Sequence, residues 1–160
     1  VEVLRREFPQ FGVAVAGYPK VHREAVSPDD DLERLKRKVD AGADVVITQL
    51  FYDNADFFRF RERYEAAGIR APLVPGILPV TNYAQIKRIA RLPAAFIEEL
   101  AACGDDEAAQ FEVGVRQAAE QVRELLAAGI PGLHFYVLNK SQATGAVLRA
   151  VGRMEANAET

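Results

Sequence analysis

Four stretches of this chain set polar or aromatic residues directly behind a short apolar run. Residues 45–47 are Val-Val-Ile, followed by Thr48, Gln49, Tyr52 and Asp53. A primary amide such as Gln49 offers one acceptor and two donors, so it can read a ring edge that mixes the two. It can equally satisfy nearby backbone and nothing more. Tyr18 and His22 follow the small-residue run 11–16. A phenol and a neutral imidazole can bond a ligand without adding charge, although a loop histidine is as much at home on the surface or on backbone. Asp31, Arg34, Arg37 and Lys38 come next. Guanidinium donors suit phosphate oxygens, while the same residues also make an ordinary solvated helix face, its acid–base pairs worth about 0.2–0.5 kcal/mol each. Gln85 follows the third run and by itself reads as solvent-facing. His134 and Tyr136 alternate along the fourth run, with Asn139 and Lys140 behind it; His134 is read as structural.

These positions share a purpose only if the apolar runs are strands and the stretches between them helices. Ser27-Pro28-Asp29-Asp30-Asp31 is a helix start: Ser27 can cap, Pro28 fits the first turn, and the aspartates favour the positive dipole end. Ala41-Gly42-Ala43, Ala67-Gly68-Ile69 and Ala128-Gly129-Ile130 are three helix stops of one kind. Strands are expected over 11–16, 45–50, from 73, and over 132–137. Helices are expected over 55–67, 83–91, 94–102, 106–128 and 142–151. Pro75 removes a ladder donor, so it belongs where the third strand leaves the sheet. Four βα units in succession imply parallel strands joined by right-handed crossovers. They could form a small doubly wound sheet or half of an eight-stranded barrel. In either, the strand ends with their polar residues fall on one side, where ligands sit.

Composition narrows the function classes. A net charge of −3 gives no basic footprint for nucleic acid or an anionic membrane. No apolar run approaches the ~20 residues of a membrane span. The single Cys103 forms no internal disulfide, no Cys/His set resembles a metal site, and a reducing, cytoplasmic setting is expected. Cys103 itself reads as an inert small residue. The chain opens at Val1 on what reads as the end of an amphipathic helix, so upstream sequence is expected.

The strand ends resemble the methylenetetrahydrofolate reductase family. The matching blocks are residues 17–22 (Gly-Tyr-Pro-Lys-Val-His), 35–44, 47–51 (Ile-Thr-Gln-Leu-Phe), 74–79 (Val-Pro-Gly-Ile-Leu-Pro) and 133–139 (Leu-His-Phe-Tyr-Val-Leu-Asn). They occur in the family's order and spacing over nearly the whole chain. The resemblance implies an α/β fold of parallel (β/α) units, the C-terminal half of a (β/α)8 TIM-type barrel. Residues 1–152 would form the partial barrel of about four units, and 153–160 a polar tail. It implies FAD as cofactor, NADH or NADPH as electron donor, and reduction of methylenetetrahydrofolate to methyltetrahydrofolate. By resemblance Tyr18, His22, Ala25, Asp31, Arg34, Arg37 and Lys38 bind FAD, and Gln49, Gln85 and Lys140 bind the folate. Arg34 stands where some members have a neutral amide, and Lys140 where many have arginine. The family's acidic catalytic residue lies in the N-terminal half, so this chain is expected to hold no catalytic residue and to need that missing half as partner. Homo-oligomers are expected as in the family. The chain stops within eight residues of Gly152, a pattern more like bacterial members. Two other readings stay open: a barrel enzyme using the basic helix for a phosphorylated substrate without flavin, and an inactive fragment or assembly partner.

Overall fold

A computed structural model of the chain describes residues 1–22, 24–86, 92–137 and 141–153, with backbone alone at Gln85. The elements in order are α1 (Glu2–Glu7), β1 (Ala14–Gly17), α2 (Pro28–Asp40), β2 (Val45–Thr48), α3 (Asn54–Ala66), β3 (Leu73–Val74) and β4 (Gly76–Ile77). Then follow α4 (Tyr83–Ile86), α5 (Ala94–Ala102), α6 (Glu107–Ala127), β5 (His134–Phe135) and α7 (Gln142–Ala150). Helices and parallel strands alternate, which is the expected α/β class.

The start and stop signals act where they stand. Ser27 Oγ accepts from the Asp30 backbone N–H at 3.1 Å, and Asp30 Oδ2 reaches back to Val26 N–H at 3.4 Å. Each side chain thus satisfies a backbone donor left over at the helix start. Gly42, Gly68 and Gly129 close α2, α3 and α6 at φ +103°, +74° and +72°, a region that strains any residue with a Cβ. Pro75 is indeed the break: β3 ends at Val74 and β4, just past it, pairs with β5 instead.

The described residues fall into two compact units. The first comprises Val1–Phe51, Ala55–Gly76 and Ile130–His134. Its sheet runs β1-β2-β3 in parallel, with Ala14 opposite Val45, Gly17 opposite Thr48 and Ile47 opposite Val74. A Cβ on Gly17 would lie 2.8 Å from Val46 Cγ1 and 3.2 Å from the Phe60 ring, so α3 covers the face that carries Val46. Period-two alternation then puts Ala14, Ala16, Val45 and Ile47 on the opposite face, with Gln49 continuing it. Phe57 and Tyr64 of α3, Leu35 of α2 and Ile69 are buried. The first strand is shorter than the expected 11–16 and shifted. Phe11 lies outside it, 60% exposed, its ring 6.2 Å from Phe8.

The second unit comprises Tyr52–Asn54, Ile77–Gly129 and the described part of Phe135–Thr160. Tyr52, Val80, Ile86, Phe96 and Leu100 form one buried cluster. Helix α6 buries Val115, Ala118, Val122 and Leu125 along one side, and Val147 of α7 is fully buried. The helix expected over 83–91 is seen as α4, and residues 87–91 lie outside the described residues. The last strand, expected over 132–137, is the two-residue β5, paired with the two-residue β4. Among the described residues no helix is long and apolar enough to cross a membrane.

Candidate functional site

In the first unit the candidate residues gather where β1 and β2 end. The Gln49 N–H donates to Gly17 C=O at 2.7 Å, extending the ladder one step and bringing Gln49 alongside the Tyr18 backbone. Gln49 is exposed, and its Oε1 accepts from the Leu50 N–H at 3.0 Å. The backbone-satisfying role open to this amide is thus taken by its oxygen. Directly beneath it Thr48 is fully buried, and its Oγ1 accepts from the Gly76 N–H at 2.9 Å. That bond ties the end of β2 to the start of β4.

Tyr18 and His22 meet edge to face, ring centroids 4.6 Å apart and planes at 74°. His22 Nδ1 accepts from the Glu24 backbone N–H at 3.2 Å. A neutral imidazole so engaged carries its proton on Nε2, which becomes the donor for anything outside the loop. The His22 backbone N–H donates to Asp31 Oδ2 at 3.0 Å, and the Ala25 N–H donates to His22 C=O at 3.0 Å. His22, Ala25 and Asp31 are therefore one hydrogen-bonded group, with the first turn of α2 holding the loop. The reason is local: Asp31 follows the Ser27 cap closely enough to face the incoming chain.

Both arginines of α2 are engaged with their own helix. Arg34 Nε lies 3.0 Å from Asp30 Oδ2, and this hydrogen bond is the chief cause holding the Asp30 carboxyl below its ordinary range. Arg37 Nη2 lies 2.5 Å from Glu33 Oε1, which raises the guanidinium pKa further. Both pairs are solvent-exposed, where such contacts are weak and readily exchanged. Lys38 is exposed, and no ion pair to it occurs among the described residues. Gln85 lies in α4, its side chain outside the described residues, as is all of Lys140. Among the described residues no group of three or more His, Cys, Asp or Glu could hold a metal ion.

Sequence reasoning missed two contributors to this region. Lys20 Nζ pairs with Asp56 Oδ2 at 3.1 Å, the aspartate side chain 15% exposed, linking the Tyr18 loop to the first turn of α3. Thr48 stood in plain view beside Gln49, but its role depends on Gly76, 28 residues away. No local pattern signals either contact.

Comparison with known proteins places the chain in a family. The sequence profile of the methylenetetrahydrofolate reductase family matches residues 1–152. The 5,10-methylenetetrahydrofolate reductase of Escherichia coli K12 is 41% identical over 154 residues, covering 93% of this chain and 52% of that protein. Methylenetetrahydrofolate reductase (NADH) 1 of Arabidopsis thaliana is 37% identical over 159 residues, covering 91% of this chain and 27% of the plant protein. The chain thus spans about half the length of the bacterial relative. An uncharacterized protein from Clostridium thermocellum that binds two copies of 5-methyl-5,6,7,8-tetrahydrofolic acid has a similar fold. Its TM-score is 0.62 at 16% identity, over 94% of this chain and 56% of that one. With the family profile running along nearly all of its length, the chain belongs to the methylenetetrahydrofolate reductase family.

Proposed function

We propose that this chain is the C-terminal half-barrel of a flavin-dependent methylenetetrahydrofolate reductase. The complete enzyme reduces 5,10-methylenetetrahydrofolate to 5-methyltetrahydrofolate with NADH or NADPH through FAD. The observation that carries this reading is the Tyr18–His22–Asp31 group at the end of β1, next to Gln49 at the end of β2. When bound, the flavin supplies the hydride chemistry between nicotinamide and folate.

The residues present fit that cofactor. His22, with Nδ1 satisfied by Glu24, offers a fixed Nε2 donor, and Tyr18 lies against its ring. Ala25 adds a small side chain in the same loop, and Asp31 keeps a second carboxylate oxygen for a ribose hydroxyl. Arg37 and Lys38 would meet the diphosphate, and Arg34 would flank it. Arg37 can exchange its exposed carboxylate partner Glu33 for phosphate oxygens without stranding a buried charge. Gln49 would bond the pterin edge by its amide N–H donors, and by its oxygen once that turns from Leu50. Gln85 and Lys140 complete the proposed folate set. The acid that protonates the substrate would come from the N-terminal half, and homo-oligomers are proposed as in the family.

The test is the complete gene product. It should purify yellow, with a flavin absorbance band and NAD(P)H-dependent reduction of methylenetetrahydrofolate. A colourless, well-folded complete protein that instead binds a phosphorylated metabolite would replace this reading with the flavin-free barrel enzyme.

A further inference from the structure

In the second unit, one stripe of α6 holds the chain segment that launches α4. Glu107, Gln110 and Gly114 are spaced i, i+3 and i+7, so they share a face of the helix. Each meets a different residue of the segment 80–83. Glu107 Oε1 accepts from Asn82 Nδ2 at 3.1 Å. Gln110 Oε1 accepts from the Tyr83 backbone N–H at 2.8 Å, while its Nε2 donates to Gly104 C=O at 2.7 Å. At Gly114 the backbones touch: a Cβ there would lie 1.7 Å from the Val80 carbonyl oxygen.

These contacts are purposeful on physical grounds. A glycine inside a helix costs about 1 kcal/mol relative to alanine, and here it is the one residue that lets α6 reach Val80. Gln110 is 7% exposed, and both ends of its amide are spent on backbone. Tyr83 is the first residue of α4, where N–H groups have no partner within their own helix. Gln110 therefore caps α4 from another element and fixes where that helix starts. Tyr52 adds a hold just before that segment, its hydroxyl donating to Leu78 C=O at 3.2 Å.

We propose that Gln110 and Gly114 are positioning residues for folate recognition, acting by setting the start of α4, in which Gln85 is the third residue. This rests on the reading above, in which Gln85 is a folate ligand. The alignment of α4 decides where the Gln85 backbone stands, so loosening its first residue degrades folate binding before anything else.

The test uses the complete enzyme with Gln110→Met, Gln110→Glu and Gly114→Ala. Met fills the volume without either hydrogen bond; Glu keeps the acceptor facing Tyr83. Gln110→Met should raise the folate KM about tenfold, since it removes the acceptor for Tyr83 N–H and the donor to Gly104 C=O together. FAD content and the rate of flavin reduction by NAD(P)H should stay at wild-type values. Hydrogen exchange at the Tyr83 amide should speed up in Gln110→Met and less so in Gln110→Glu, which keeps the acceptor for Tyr83 but loses the donor to Gly104 C=O. Gly114→Ala should reproduce the KM rise through displacement of Val80. Wild-type folate KM in Gln110→Met together with unchanged Tyr83 exchange would overturn the proposal. So would a global loss, in which FAD content and flavin reduction fall together with the rise in folate KM. Gln85→Ala is the separate control: if it leaves the folate KM unchanged, the folate assignment of Gln85 fails, and the Tyr83 exchange data then report the α4 cap alone.

Discussion

Helices α2 and α6 do opposite work, and their residues show why. Helix α2 buries a single residue, Leu35, and turns its charged face to solvent, with Arg34 and Arg37 paired to acids one turn earlier. Helix α6 buries eight residues, among them two glutamines and a glycine. Charge on α2 is cheap to redirect because both states of each pair are hydrated. Polar groups on α6 are not, because each buried amide would lose a partner that water cannot replace. A helix that presents cations to a ligand can therefore be written in local pairs, whereas one that sets the position of other segments must be written in long-range contacts.

The contrast is broken most directly by truncation. Leu125 is fully buried on α6, and Leu125→Ala in the complete enzyme should destabilise by about 2–5 kcal/mol, transfer and cavity terms together. Lys36→Ala on α2 should stay within about 0.5 kcal/mol of wild type. Denaturant melts of the two variants give both numbers, and equal losses would erase the distinction. At the strand ends, Gln49→Ala should slow the folate half-reaction by about 1–3 kcal/mol in transition-state terms. FAD content should be spared; stopped-flow traces showing an unchanged folate rate would remove Gln49 from the substrate site. Replacing Arg37 and Lys38 together by alanine should weaken FAD retention severalfold and steepen its salt dependence. Retention equal to wild type through dilution and high salt would mean that α2 is only a solvated face.

The smallest effect belongs to Asp44, which shares with α2 an exposed ion pair but adds a backbone anchor. Its carboxylate accepts from the Val13 N–H at 2.6 Å and pairs with Arg5. The Val13 bond first, then Arg5, holds its pKa below the ordinary 3.8. A carboxyl with a lowered folded pKa stabilises the fold above the unfolded value, and that contribution disappears as pH falls through the folded value. Asp44→Asn should therefore flatten the stability profile below about pH 4 and leave its slope at pH 7 unchanged. An acid limb identical to wild type would show the Val13 and Arg5 contacts to be energetically silent.

Local chemistry by itself determined a good deal of this protein. The Ser27 cap, the Pro28 start and the glycines 42, 68 and 129 acted as their types require, because caps and left-handed turns depend on a few neighbouring atoms. The break at Pro75 was legible for the same reason: a missing N–H cannot be supplied by context. Gln49, Tyr18 and His22 could be singled out because strand ends follow from apolar runs. What each side chain bonds to was decided only by the tertiary structure. The oxygen of Gln49 turned to Leu50, Asp31 took the His22 backbone, and Thr48 reached Gly76. Gly114 was the least legible of all, since a glycine in a helix announces a close approach without saying to what. Its partner Val80 lies 34 residues earlier, and only the packing of α6 brings the two backbones together.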